Sequence, residues 1–204
     1  HPKKSTLFLY DSVNDVFDFI KLICMQVRKR MNPYAYSVIV CDKVYMGSPL
    51  RPFVAPDYQR LFLIAATESE ITGCLKDMSE TLLKRSANIM ATFKNIDEYN
   101  DAMVKSDSVP ESYQLVFFIN PSDTVLGNEV FMQITQIGAA IGIYNHVFVQ
   151  KDSFFDLGDR AKNLLSVVDV VYTIQEGKVT TKAKNFVEEK MIKKSNVNSG
   201  KFTR

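Results

Sequence analysis

The sequence predicts an α/β fold, a mostly parallel sheet flanked by helices in the doubly wound manner. Short apolar runs alternate with segments of helical spacing along most of the chain. Several of those runs are apolar on both faces, as buried parallel strands are. Strands that alternate with helices in this way call for crossover connections and a sheet covered on both sides.

The predicted strands are "TLFLY" (6–10), "YSVIVC" (36–41), "RLFLIAA" (60–66), "YQLVFFI" (113–119), "NHVFVQ" (145–150) and "VVDVVYTI" (167–174). After the first comes "DSVNDVFDFI", in which Val16, Phe19, Ile20, Ile23 and Val27 mark one face of a helix. Arg28, Lys29 and Arg30 follow near its C-terminal end, where the helix dipole favours cations. A second helix opens at "TESE", with Thr67 as cap and Glu70 reciprocating, and continues through Ile71, Leu75, Met78 and Leu82. "NIDE" repeats that logic at Asn95 and Glu98 and starts a shorter helix through Tyr99 and Met103. A fourth helical pattern after Gly127 carries Val130, Phe131, Ile134, Ile137 and Ile141, and Gly142 stops it. "GSPLRPFVAP" and "SVPES" read as proline-punctuated surface loops.

With 204 residues and 46% hydrophobic content, the chain has ample material for one large domain, placed at 1–180. Residues 181–204 form a polar tail with room for a short helix around "NFVEEKMI". Lys and Arg number 25 against 23 Asp and Glu, a formal charge of +2, too balanced for nucleic-acid or membrane-surface binding driven by bulk charge. No apolar run approaches a membrane span, and the start "HPKKS" lacks a signal-peptide hydrophobic region. Cys24, Cys41 and Cys74 are odd in number and set in apolar runs, which suits buried thiols in a reducing, cytoplasmic setting. His146 lies in a strand pattern and reads as a packing residue. No second histidine except His1 exists to build a metal site.

In open α/β sheets ligands bind beyond the carboxyl ends of the strands, so the turns after Tyr10 and after Ile119 are the places to look. The first turn carries Asp11, Ser12, Asn14 and Asp15, residues suited to capping a helix. Its carboxylates complement a helix dipole but oppose an anion at the same end; like charges a few Å apart repel by about 1 kcal/mol in water and more in a less polar pocket.

The order of these segments resembles the motor domain of the FtsK/SpoIIIE family of P-loop ATPases over roughly residues 5–175. "GAAIGIYNHVFVQKDS" is similar to the family's "ARAAGIHLVLATQRPS", with Gly142 and Ile143 on its Gly-Ile, Gln150 on its sensor glutamine and Lys151 on the neighbouring arginine. "LLKRSANIMATFKNIDEYNDAM" resembles "MERRYKLLAELGVRNIEGYNEKV" through Asn95, Ile96, Tyr99 and Asn100. "YSVIVCDKVYMGS" is similar to "LILIDPKMVELS", with Asp42 and Lys43 in register. The resemblance implies a RecA-like P-loop NTPase fold.

It also implies where a nucleotide site would lie, and there the sequence departs from the family. Where the family has "GATGSGKS", whose glycines, lysine and serine hold phosphate and magnesium, "YDSVNDVFDF" offers no glycine and no lysine. Where the family strand "VVVIDELAD" ends in a magnesium-binding aspartate and a glutamate that orients water, "LVFFINPSD" places Asn120 and Pro121. The expected pocket is therefore vestigial: Asp11, Ser12, Asn14, Asp15, Asn120, Pro121 and Gln150, with no catalytic residue and no ATP or magnesium. Among family members, coupling ATPases of the type VII secretion system (EssC/EccC-like) string such domains in tandem on a membrane anchor. That resemblance implies a non-hydrolysing cytoplasmic domain of a membrane-anchored protein. Its expected partners are the preceding ATPase domains of the same chain and secreted WXG100-type or other type VII substrates, with no specific nucleic acid and no membrane insertion of this segment. Two alternatives stand beside it: a divergent translocase binding nucleotide around Gln150, and a DNA-binding module using Arg28, Lys29, Arg30, Lys84 and Arg85.

Overall fold

The computed structural model describes residues 3–30, 35–51, 62–182, 184 and 187. Among them seven strands form one sheet: β1 (Thr6–Tyr10), β2 (Tyr36–Cys41), β3 (Phe62–Ala65), β4 (Tyr113–Ile119), β5 (Ile143–Gln150), β6 (Val170–Gln175) and β7 (Lys178–Lys182). Their spatial order is β3-β2-β4-β5-β1-β6-β7, with every pairing parallel except the final hairpin. Around the sheet lie α1 (Val13–Arg30), α2 (Glu68–Ile89), α3 (Ile96–Lys105), α4 (Asp123–Leu126), α5 (Glu129–Ile137), α6 (Lys151–Asp156) and α7 (Asp159–Val167).

Both faces of the sheet are covered, and the two-residue period of the strands divides the core between them. Leu7, Leu9, Val116, Phe118, Val147 and Val149 face the side packed by α2, α5 and α7. Phe8, Tyr10, Leu115, Phe117, Ile119 and Phe148 face the opposite side, where Val16, Phe17, Ile20 and Cys24 of α1 meet them. β1 and β4 are buried on both faces over most of their length, which is why they read as continuous apolar runs.

The helix starts expected from capping chemistry are present. Thr67 accepts from the Glu70 amide at 3.2 Å, while the Glu70 carboxylate accepts from the Thr67 amide at 2.9 Å, closing the capping box of α2. Asn95 accepts from the Glu98 amide at 3.0 Å at the start of α3. Gly142 adopts φ +81° as expected of a stop.

Other boundaries differ. The pattern read as one helix from Val130 to Ile141 is α5 followed by a 3-10 turn at Gly138–Ile141. The break sits where a Cβ on Gly138 would lie 2.7 Å from the Ile143 carbonyl, so helix and strand meet too closely for a side chain. β5 begins at Ile143, two residues before the expected start. The run "VVDVVYTI" is divided: Val167 ends α7, and β6 starts only at Val170, after Asp169 has accepted a hydrogen bond from the Ser5 amide. The polar stretch from Lys178 opens with β7, whose residues are almost all exposed. An edge strand with one or no buried face carries no apolar alternation to read. Beyond it, Val187 packs into the core, and the rest of "NFVEEKMI" lies outside the described residues. Of "GSPLRPFVAP", only residues 47–51 are described.

All three cysteines are buried, and none forms a disulfide. The Cys41 and Cys74 thiols are hydrogen-bonded to one another, and that bond together with burial holds Cys41 protonated well above the usual thiol range.

Candidate functional site

β5 lies between β1 and β4, so the carboxyl ends of these three strands converge. Tyr10 and Gln150 are register partners across β1 and β5, and Asn120 follows the last residue of β4. The sheet thus brings the turn after Tyr10, the Asn120-Pro121 corner and Gln150 to one place.

Asn120 ties that place shut. Its backbone takes φ +47°, a left-handed conformation that asparagine tolerates better than most residues. Its amide N–H donates to the Phe148 carbonyl at 2.8 Å. The side-chain Nδ2 donates to the Tyr10 hydroxyl at 2.6 Å, and Oδ1 accepts from the Gln150 amide at 3.2 Å. One side chain therefore joins three strand ends. Burial pushes the Tyr10 hydroxyl up to about 12, against the opposing effect of the Asn120 hydrogen bond, so the phenol stays neutral.

The flanking charges are also satisfied within the chain. Lys151, in the first turn of α6, approaches the Asp11 carboxylate at 3.4 Å. Ser12 and Asn14 are exposed, and Asp15 occupies the first turn of α1, where a carboxylate complements the dipole. Pro121 is half-buried, and Ser122 next to it caps α4 and donates to Glu68 at 2.8 Å. Asp123 pairs with Arg160. The Gln150 side chain is exposed, with no cap hydrogen bond.

A triphosphate with magnesium does not fit these groups. The turn presents Asp11 and Asp15 at the helix start, residues 11–16 contain no lysine, and the Asn120 amide, which the resemblance matched to the family's magnesium-binding aspartate, already uses both of its polar atoms.

Beside the corner is a device the sequence reading did not anticipate. Asp42 is fully buried and accepts from the amides of Tyr45 and Gly47, both at 2.9 Å. Met46 at φ +53° and Gly47 at φ +60° complete the tight loop. Tyr45 sets its ring edge-on to Phe17 at 5.8 Å, leaving Val44 and Met46 exposed. The signal for this loop was Asp42 directly after an apolar strand, a position matched by register and not read for its hydrogen bonds. Met25 is likewise exposed, and Met31 lies outside the described residues.

Of the basic residues considered for DNA, Arg85 presents no charge to the surface. Arg85 is buried, ion-paired to Glu111 at 3.3 Å and donating to the Ile141 carbonyl at 3.1 Å, so it faces the interior. Lys84 is exposed, and the side chains of Arg28, Lys29 and Arg30 lie outside the described residues.

At the opposite, amino-terminal edge of the sheet there is a pocket of about 390 Å³ between α3 and the segment leading into β4. Val104, Val109 and Pro110 line it with Asp101, Glu111 and Tyr113. Asn100 fixes its wall, donating to the Glu111 carbonyl and accepting from the Glu111 amide, each at 2.9 Å. Below it Tyr113 donates to Asp97 at 2.6 Å. Burial would raise the Asp97 carboxyl, but hydrogen bonds from Lys3 and Tyr113 outweigh it and hold the group below its ordinary value. Burial and Asp97 push Tyr113 up to about 12.

No family model and no curated protein matches the sequence. Solved structures do match. The cytoplasmic domain of the Thermomonospora curvata type VII secretion ATPase EccC aligns at TM-score 0.61 and 11% identity, over 83% of this chain and 20% of that one. EssC (ATPases 2 and 3) from Geobacillus thermodenitrificans aligns at TM-score 0.61 and 15% identity, over 84% and 32%. T. curvata EccC (ATPases 2 and 3) in complex with a signal sequence peptide aligns at 0.55 and 10%, over 84% and 30%. The chain thus spans between a fifth and a third of the length of these proteins. Among the described residues, no helix is long and apolar enough to cross a membrane. Sheet order, the convergence of three strand ends and these alignments lead to one conclusion: the chain has the fold of the cytoplasmic ATPase domains of EccC and EssC type VII secretion proteins.

Proposed function

We propose that this domain serves a type VII secretion coupling protein without hydrolysing ATP, contributing substrate recognition or regulation of neighbouring motor domains. The observation that carries the reading is the closure of the nucleotide corner: Asn120 spends both polar atoms on Tyr10 and Gln150, and Asp11 is paired with Lys151. A domain that has exchanged phosphate-binding groups for internal hydrogen bonds retains a rigid sheet and loses the means to hold an anion. Tandem ATPase domains in the aligned EccC and EssC structures support neighbouring domains of the same chain as partners. The signal sequence peptide in one of them supports a secreted protein as another. On this reading the parent protein is membrane-anchored and the domain lies on its cytoplasmic side.

Titration of the purified chain with ATP and magnesium by calorimetry tests the proposal. No heat of binding is expected up to millimolar nucleotide. Binding that saturates in the micromolar range, and that weakens on Gln150→Ala, would return the domain to the active motors.

A further inference from the structure

The pocket at the amino-terminal edge is held open by hydrogen bonds of the chain itself. Asn100 clamps both backbone groups of Glu111, and the Ser108 amide donates to the Met103 carbonyl at 2.8 Å, so the segment leading into β4 is fixed against α3. The walls between them are apolar and uncovered: Val104 and Val109 are 65% and 88% exposed, although valine gains from leaving water. At about 390 Å³ the space is at the small end of cavities that hold ligands, with room for one or two side chains.

Charge is segregated to the same place. Residues 96–112 carry Asp97, Glu98, Asp101, Asp107 and Glu111 against Lys105 alone, in a chain whose formal charge is +2. Lys3 pairs with Asp97 and Arg85 with Glu111, while Asp101 and Asp107 form no ion pair among the described residues. Lys3 also shows how this edge takes a cation. Its ammonium is 2.7 Å from the Asp97 carboxylate and 5.3 Å from the centre of the Tyr113 ring, held between a negative charge and an aromatic face. Asp101 stands one turn further along α3, at the rim of the pocket that Tyr113 also lines, and has no such cation among the described residues. A phosphate-bearing ligand would be repelled there, and no group of described His, Cys, Asp or Glu residues is arranged to hold a metal ion. Apolar walls beside an unpaired carboxylate call for a ligand that is apolar and cationic at neighbouring positions.

We propose that this pocket docks a short segment of another protein in which an apolar side chain stands beside a lysine or arginine. The apolar side chain fills the space between Val104 and Val109, and the cation faces Asp101 and the Glu111 carboxylate. The pocket is at the edge of the sheet opposite the nucleotide corner, so docking here holds whether or not that corner binds ATP.

The test titrates the isotope-labelled full chain with end-capped peptides and follows its amide signals. Gly-Lys-Leu-Arg-Gly should shift residues 100–113 selectively, with a dissociation constant of about 1 mM or tighter. Replacing leucine by serine, or both cations by glutamate, should weaken binding about tenfold, and raising salt to about 0.5 M should weaken it severalfold. Val109→Ser should weaken it by a similar factor, and Asp101→Lys should reverse the preference in favour of the glutamate peptide. Both residues are exposed, so neither change should move the melting temperature. Signals of residues 100–113 that stay in place up to about 5 mM peptide, or that move equally with all the peptides, overturn the proposal. So do shifts of the same residues when the protein is merely concentrated without peptide, because the occupant is then a second copy.

Discussion

The carboxamide of Asn120 lies 2.6 Å from the Tyr10 hydroxyl and also receives the Gln150 amide, bridging three strands at the edge where ligands of this fold class collect. A magnesium-dependent site needs a carboxylate free to face a cation. Here the corresponding side chain is a structural brace.

Asn120→Ala should therefore behave as a stability mutation. It removes two hydrogen bonds and places a residue with a Cβ and no compensating side chain at φ +47°. A loss of about 2–3 kcal/mol is expected in urea unfolding, with the far-UV spectrum unchanged. Asn120→Gly, which accepts the backbone geometry, should lose visibly less, separating the hydrogen bonds from the strain.

Gly142 is required on two counts. Its φ is +81°, and a Cβ there would sit 2.3 Å from Ile96 Cδ1 and 3.4 Å from the buried Arg85 guanidinium. Gly142→Ala should destabilise the fold by about 2–4 kcal/mol in chemical denaturation. Shortening the clashing partner with Ile96→Val in the same chain should recover part of that loss.

Arg85 is a buried cation whose guanidinium is held by Glu111 and the Ile141 carbonyl. Burial lowers its pKa, against the opposing pull of Glu111, but a guanidinium remains charged at neutral pH. Glu111→Gln leaves that charge without its counter-ion and should cost about 1–3 kcal/mol, the upper range for buried pairs being reduced because Glu111 is partly exposed. Arg85→Met keeps the volume and removes the charge, and should be better tolerated than Arg85→Ala when melting temperatures are compared.

His146 gives the fold an acid limit. It is completely buried, stacked on Phe117 at 5.3 Å, with Nδ1 2.6 Å from the Thr6 hydroxyl and no partner for Nε2 among the described residues. Burial lowers its pKa to about 3, against about 6.5 in the unfolded chain. The unfolded state thus binds more protons between these values, and stability rises with pH through that window. It is complete above about 6.5 and is lost as pH falls, by up to about 1.4 kcal/mol per pH unit. Unfolding free energies between pH 6.5 and 4.5, above the range where carboxylates dominate, should show this slope. His146→Phe should flatten it.

Local chemistry made much of this fold legible. Capping at Thr67, Glu70 and Asn95 is decided within four residues, so the helix starts could be read directly. Continuous apolar runs identified β1 and β4 because burial on both faces leaves no polar alternation. β7 escaped detection for the opposite reason, as an exposed edge strand held by backbone pairing can carry almost any residues. The missing glycines and lysine of the first turn, and the amide and proline after β4, could be read from the sequence and underlie the proposal that this corner holds no phosphate or magnesium. What replaces them was a matter of tertiary structure. Tyr10, Asn120 and Gln150 are 110 and 30 residues apart along the chain and become hydrogen-bond partners only because β5 is inserted between β1 and β4. The same holds for Arg85, whose charge suggested a surface contact until the packing of α2 against the Gly138–Ile141 turn and the Glu111 segment enclosed it. Residue types limit which chemistry a position can perform; which groups satisfy one another depends on strand order and helix packing, and those are set by the whole chain at once.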